Sequence, residues 1–507
     1  MVGGRGASAR GTTQRTGSNL AALRTLTFRA FCSGVLLAAT LVLISGTTGD
    51  PDLWGHVRFG QDLVAAGTVR VPDTYSFTTD RPWINHEWLS EAAMAIAYDR
   101  LGPAGVNLLR MTIVLGVLAL AWSAMAGVPV HRRILVASAG AMGMLWRAYP
   151  IRPQLLSLLF FAVLLKLITS ADDRRSLRPL LPAPLLMAIW VNAHGGWLVG
   201  LGVLGLWTAM TAIAASWRQR MALAAILAAS LAATLVNPYG SGMWEFLLST
   251  VRLERPLISD WQPLYMLPWI FRLPWITTLA VVVVAAAKMR GNVKLLALAS
   301  VLGLMAIRVS RLDAFFAIAA MFFAAQVLVE SAARSHAAEL PARRSPMLAW
   351  AFAGVLAVAV FVAVPRILTV PIAPGSVPDA QVAAFVRAQH LRGNVLIWFD
   401  WGQYAIWQFG PDLKVSMDGR RETVYSAALV DAHMRFYFGE RGASRYADEL
   451  RPDYIWIPSA LAVAGELQRS GWRPACAGPT SVLLTRRIDM APCAPAALPA
   501  DRLFPGL

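Results

Sequence analysis

Residues 50–88 read DPDLWGHVRFGQDLVAAGTVRVPDTYSFTTDRPWINHEW, from Asp50 to Trp88, and the meaning of this polar stretch decides how the rest of the chain is read. It follows a long apolar segment and crowds acids, imidazoles and indoles into a loop, while the flanking chain is almost wholly Ala, Leu and Val. A helix over residues 52–66 would present Leu53, Val57 and Val64 as an apolar face, with Asp52 and His56, four residues apart, projecting together beside it. A carboxylate and an imidazole would then sit at a membrane surface. Helix capping is the plain alternative for Asp50 or Asp52. It leaves two acids, a histidine and a tryptophan within seven residues unexplained. The loop closes with Pro82-Trp83-Ile84-Asn85-His86-Glu87-Trp88, where His86 and Glu87 open a second helix.

The chain around this loop is 507 residues long, 57% hydrophobic and 15% charged, with a mean hydropathy of +0.52. Soluble domains carry about a quarter charged residues, so the sequence predicts a polytopic membrane protein. The net charge of +17 lies largely in short loops between apolar runs, as cytoplasmic loops require. No basic stripe with interleaved aromatics is present, so no nucleic-acid partner is expected. Residues 1–24, rich in Gly, Ser, Thr and Arg, read as a disordered cytoplasmic tail without a cleavable signal. The three cysteines have no zinc-ligand spacing. Cys476 and Cys493 fall together in a region expected outside the cytoplasm, where they are either paired or both free.

A span needs roughly 20 apolar residues to cross about 30 Å of hydrocarbon. About eleven are read, near 28–46, 105–127, 133–149, 153–170, 180–194, 196–216, 219–236, 270–287, 293–307, 311–330 and 347–365. With the Arg-rich tail cytoplasmic, alternate loops should be basic, and they are: 131–133, 172–178, 217–220, 288–294 and 333–344. This parity requires that residues 87–101 do not cross. That segment covers roughly 22 Å at 1.5 Å per residue and carries Glu87, Glu91, Asp99 and Arg100, so it reads as an amphipathic helix on the outer surface.

The remaining loops then share the outer face. They bring Asp50 and Asp52, His56, His86 with Glu87, Arg147 and Arg152 around a Pro turn, Asn192 and His194 before two glycines, and Arg308 and Arg311 with Asp313. An arginine at membrane depth is costly unless paired, and two such guanidinium forks suit a phosphate. Snorkelling to lipid headgroups is the alternative. From residue 366 the chain alternates strand-like runs (NVLIWF, LKVSMD, DYIWIP) with helix-like ones (SAALVDAHMRFYF, LAVAGELQRSGW). An extracytoplasmic α/β domain over 366–507 is expected behind a Pro-rich linker. Asp400 in Phe399-Asp400-Trp401-Gly402, and Asp418-Gly419-Arg420-Arg421-Glu422, follow strands and read first as turns. No P-loop, Rossmann glycine pattern or HExxH is present.

On these residues the chain resembles the GT-C superfamily of membrane glycosyltransferases, including protein O-mannosyltransferases and aminoarabinose transferases. Asp50-Pro51-Asp52 stands where that superfamily has an acidic pair, and Arg81-Pro82-Trp83 with His86-Glu87 near its basic and proline motif. The acids are separated by a proline and the double proline is missing. The resemblance covers residues 25–365, with an outer loop over 47–104 carrying two juxtamembrane helices. The run DPDLW…DTYSFT…RPW…HEWL also resembles a group of bacterial multi-pass proteins, which implies the bacterial inner membrane.

The resemblance implies an all-α polytopic bundle and transfer of a sugar from a polyprenyl-phosphate carrier to an acceptor at the outer face. Asp50 or Asp52 would be the base. Arg147, Arg152, Arg308 and Arg311 would hold the phosphate, and His56, His86, Glu87 and His194 would orient substrate or a divalent cation. A transporter would instead place ionisable groups near mid-membrane within internal repeats. A non-catalytic scaffold would tolerate loss of both acids.

Overall fold

The computed structural model describes residues 26–70, 72–251, 259–288, 292–334, 344–440, 442–488, 490, 493 and 502–506. The tail 1–24 and most of the basic loop 333–344 lie outside them. Among the described residues a helix stands at each of the eleven apolar runs. Six are long and apolar enough to cross a membrane: Phe28–Ser45, Trp88–Ser123, Gln154–Arg174, Trp269–Ala286, Ser310–Arg334 and Pro346–Leu368. The protein is a multi-pass membrane protein. The run read over 180–194 is shortened to Ala183–Trp190, about 12 Å at 1.5 Å per residue, too little to span. Asn192 ends it by donating from Nδ2 to Ala188 O at 2.8 Å and to Val236 O at 2.8 Å, which satisfies carbonyls that a helix end leaves open.

Trp88–Ser123 is two helices in one. At Gly102 φ is 59° and ψ −147°, and Pro103 follows. Only glycine adopts that backbone cheaply, and proline removes the next donor. The break separates the charged amphipathic piece from the apolar piece that follows, where the sequence reading had divided them.

The chain forms two compact units. The first comprises the described parts of Met1–Gly46, Val114–Trp146 and Ile258–Ile367. Its centre is Asp313–Arg334, in which every residue from Asp313 to Val327 is buried. A helix apolar all round belongs inside a bundle. Gly140 and Gly143 let the helix Val130–Gly143 come against Met321 and Ala317, and Thr40 Oγ1 donates to Ser138 Oγ at 2.8 Å. Pro346–Leu368 buries no residue, as a lipid-facing span would. Arg311 stacks 4.6 Å over the ring of Trp261, and Arg308 is exposed.

The second unit comprises the described parts of Thr47–Ile113, Arg147–Leu257 and Leu368–Leu507. Its sheet has five strands: β1 (Gly393–Ile397), β2 (Leu413–Val415), β3 (Tyr454–Pro458), β4 (Arg473–Ala477) and β5 (Ser481–Thr485). The order is β2-β1-β3-β5-β4. β1 runs parallel to β2 and β3, and β5 antiparallel to β3 and β4. The three strand-like runs and both helix-like runs of the sequence are present as β1, β2, β3, Ala427–Tyr437 and Ala462–Arg469. β4 and β5 were not read from the sequence.

The free edge of β2 is covered by residues 75–77 of the loop that precedes Trp88–Ser123. Ser76 bridges Val415 in parallel, Val415 N donates to Tyr75 O at 3.0 Å and Phe77 N to Val415 O at 3.1 Å. An otherwise open sheet edge is thereby closed within the chain. The end of the chain straps the same unit: Phe504 is buried against Trp54, Tyr98 and Trp407, and Trp54 Nε1 donates to Pro505 O at 2.7 Å.

Cys476 and Cys493 form a disulfide, as the first of the two sequence alternatives required. It closes a loop of 17 residues, which loop-closure entropy values at about 3 kcal/mol. Cys476→Ser should lower the unfolding midpoint of the second unit accordingly, measured by intrinsic tryptophan fluorescence in denaturant.

Candidate active site

The helix predicted over 52–66 is present as Leu53–Ala66, with Asp52 at its N-cap position. Asp52 makes no side-chain cap hydrogen bond, so capping does not account for it. Leu53 and Val57 are buried, whereas Val64 is 50% exposed. The apolar face is therefore shorter than expected, because it is completed by Trp54 and Phe59 instead.

The chain is zipped just before this helix. Thr48 bridges Pro150 in parallel, and Thr47 Oγ1 donates to Tyr149 O at 2.7 Å. Two residues further on in each strand, Asp50 and Arg152 meet in an ion pair. Arg147 lies buried at the start of the same turn, where Gln154 Nε2 donates to its carbonyl at 3.3 Å. Asp50 is itself buried, and its Oδ1 accepts no hydrogen bond among the described residues.

Asp52 feels this pair directly. Burial raises its carboxyl, the Asp50 charge raises it further, and Arg152 and His56 oppose, leaving it at about 7. Asp400 of the α/β domain adds a smaller upward push. Asp52 is thus a carboxyl that exchanges its proton near neutral pH, as a general acid or base must.

One turn along the helix, His56 Nδ1 lies 3.1 Å from Glu91 Oε1. Asn85 Nδ2 donates to the other oxygen, Glu91 Oε2, at 2.6 Å. Burial alone would lower the His56 imidazole, but the Glu91 hydrogen bond and the charges of Glu87, Glu91 and Asp52 outweigh it and hold it at about 9. Glu87 Oε1 lies 3.4 Å from His86 Nε2 and 3.6 Å from His194 Nε2. Burial would raise its carboxyl, yet the imidazoles of His86, His194 and His56 pull it well below the usual carboxylate range.

The tautomer of His194 follows from its other nitrogen. Gly196 N donates to Nδ1 at 3.0 Å. Ser157 Oγ accepts from Trp190 Nε1 at 2.7 Å and lies 2.8 Å from the same Nδ1. Nδ1 is therefore the acceptor and Nε2 carries the hydrogen that points to Glu87. The turn holding His194 is fastened to the start of the helix Trp88–Ser123, since Trp88 Nε1 donates to Asn192 Oδ1 at 2.9 Å and Ser90 Oγ to Ala193 O at 2.6 Å.

Of the residues singled out from sequence, Asp50, Asp52, His56, His86, Glu87, Arg152 and His194 thus form one chain of acids and bases in the second unit, with Arg147 on the same turn as Arg152. Arg308 and Arg311 belong to the first unit. Glu91, Asn85 and Ser157 were missed. Glu91 had a signal, since it lies four residues from Glu87 on one helical face.

His56, Glu87 and Glu91 offer one nitrogen and two oxygens within 4.8 Å of one another, a donor set chemically suited to a divalent cation. The fit is poor as the residues stand. A ligating histidine must be neutral, whereas the His56 Nδ1 is already paired with Glu91 Oε1 at 3.1 Å. No step is therefore derived through a metal.

Three comparisons with solved structures bear on this arrangement. The apo oligosaccharyltransferase of Archaeoglobus fulgidus superposes with a TM-score of 0.56 at 11% identity, over 84% of this chain and 69% of that one. ArnT from Cupriavidus metallidurans bound to undecaprenyl phosphate gives 0.51 at 14% identity, over 91% and 98%. The same ArnT in its apo state gives 0.53 at 14%, over 94% and 98%. The chain has a GT-C fold. No protein-family model matches it, and no curated protein does either. At these identities the GT-C likeness is one of architecture: an apolar helical bundle carrying a small sheet domain late in the chain.

Because His56 is raised above its ordinary 6.5, its contribution to stability is complete below that pH and is lost as pH rises through about 9. The loss is on the order of 3 kcal/mol. Glu91→Gln should move the His56 titration down toward the ordinary histidine range and remove most of this pH dependence, as read by histidine-selective NMR and by denaturant unfolding at pH 6 and pH 9.

Proposed function

We propose that this protein is an integral-membrane glycosyltransferase that moves a sugar from a polyprenyl-phosphate carrier to an acceptor on the extracytoplasmic face, with inversion at the anomeric carbon. The observation that carries the reading is Asp52: an uncapped carboxyl at about 7 beside the Asp50–Arg152 pair. The likeness to GT-C enzymes, one bound to undecaprenyl phosphate, supports it. The protein would lie in the bacterial inner membrane with its N-terminus cytoplasmic, residues 25–365 forming the membrane domain and 366–507 the extracytoplasmic one.

The chemistry balances on this chain's own groups. Asp52, as carboxylate, takes the proton of the acceptor nucleophile as that atom bonds to the anomeric carbon. The bond from this carbon to the phosphate oxygen breaks, and the electron pair leaves with the polyprenyl phosphate. Arg152, exchanging Asp50 for the departing phosphate, stabilises the charge that develops there, and Arg147 on the same turn is the further candidate for that role. Glu87, kept ionised by three imidazoles, and His56, kept protonated, form fixed charges that would orient the sugar.

The pH dependence follows from Asp52. A base that must be ionised gives a rate that rises with pH through about 7. With the protein in nanodiscs and a panel of undecaprenyl-phosphate-linked sugars, release of undecaprenyl phosphate should show that acid limb. Asp52→Asn should lower the rate by roughly 10²- to 10⁴-fold and abolish the limb. A variant within threefold of the parent, together with an envelope glycan profile unchanged in cells lacking the protein, would sink the reading.

A further inference from the structure

The part of the outer loop that the proposed chemistry leaves aside is Asp73-Thr74-Tyr75-Ser76-Phe77-Thr78, which runs along β2. Immediately after β2 comes the turn Asp418-Gly419-Arg420. The Arg420 guanidinium meets a carboxylate on each of two sides, although its buried Nη1 makes no hydrogen bond among the described residues. Its Nη1 lies 3.0 Å from Asp73 Oδ1 and its Nη2 3.1 Å from Asp73 Oδ2. Its Nε donates to Asp418 Oδ1 at 2.9 Å and its Nη2 to Asp418 Oδ2 at 2.7 Å. The rings of Phe59, Tyr75 and Trp83 surround it at 5.0, 5.2 and 5.0 Å. An arginine from the α/β domain is thus held in a cage made by the loop that carries Asp73 and the helix Leu53–Ala66.

The residue before it touches Asp52. A methyl group placed on Gly419 would overlap Asp52 Oδ1 and lie 2.6 Å from Gln403 Nε2. A methyl group on Gly55 would overlap the Gln403 carboxamide from the other side. Gln403 is 2% exposed, and its Oε1 has no hydrogen-bond partner among the described residues. Neither glycine is required for an unusual backbone angle here. Both are required because Asp52, Gln403 and the 419 turn meet without room for a side chain.

We propose that the α/β domain completes the acid site: Gly419 and Gln403 form the wall that holds the Asp52 carboxyl in place, and Arg420 is the positioning residue that keeps this wall against the outer loop. The consequence for catalysis rests on the transfer reading above, whereas the geometry does not. Asp52 is faced by Asp50, Arg152 and His56 from the membrane-side elements and by Asp400 from the α/β domain. Removing the wall admits water to the first three and withdraws the fourth.

The test needs no substrate. Full-length protein in nanodiscs is labelled with dicyclohexylcarbodiimide, which reacts with protonated carboxyls, across pH 5 to 9, and the Asp52 peptide is quantified by mass spectrometry. The parent should show a midpoint near pH 7. Gly419→Ala, which forces the carboxyl outward, Gln403→Ala, which opens the wall, and Arg420→Lys, which keeps the charge but loses the fork, should each lower that midpoint by about one unit. An intact Cys476–Cys493 disulfide and a cooperative unfolding transition mark the folded variants, and if Gly419→Ala fails these, the other two carry the test. Folded variants that all keep the parental midpoint overturn the proposal. Undecaprenyl phosphate release is measured in parallel. A lowered midpoint in a protein with no detectable transfer supports the positioning role and counts against the transfer reading alone, and transfer that depends on Asp52 with an unmoved midpoint does the reverse.

Discussion

A guanidinium removed from water between two carboxylates is the interaction on which the second unit depends. Arg420 has five N–H donors in a fixed plane, and Asp73 and Asp418 meet that plane from two sides. Burying ions is costly, and breaking such a set by removing one partner typically costs about 3–5 kcal/mol because it strands the others. The three aromatic rings offset part of that cost by presenting negative π faces to the cation. Neither the α/β domain nor the loop that carries Asp73 has this environment alone. The two segments must therefore fold together, and the β2 edge that takes on residues 75–77 is the backbone part of the same joint.

Beside the joint, burial and neighbouring charges set the chemistry of the acids. Along one helix and its neighbours, two acidic groups of similar intrinsic strength are driven apart: Asp52 is raised by burial and by Asp50, and Glu87 is lowered by imidazoles. Environment, and not residue type, assigns one group to proton exchange and the other to fixed charge. Two short tethers make this possible, the Thr48–Pro150 bridge that presents Arg152 to Asp50 and the Asn192–Ala193 turn that carries His194 to Glu87. Each joins residues about a hundred positions apart through a few hydrogen bonds.

Much of the site was legible because charge is conspicuous in an apolar chain. Asp52 and His56 stood out by helical spacing, and Glu87 and His86 by standing in a loop between apolar runs. Arg420 follows an Asp-Gly pair, which by itself reads as a turn. Nothing local marks Gln403 or Gly419, whose roles arise from crowding across some 350 residues of sequence. β4 and β5 were missed for a related reason: Arg473–Ala477 is an edge strand with exposed residues and a proline, so it lacks the continuous apolar run that disclosed β1 and β3.

By itself the sequence determined the membrane bundle, the division of Trp88–Ser123 at Gly102-Pro103, the α/β character of the last third and the identity of the charged groups. These are consequences of apolar length, backbone freedom and residue chemistry, all of which are local. Tertiary structure alone decided that Asp52 is uncapped and shifted to about 7, that Arg152 meets Asp50, and that the α/β domain packs its Gly419 turn on Asp52. Ionisation and close approach depend on which groups surround an atom in space, and that is set by chain crossings that no local pattern encodes.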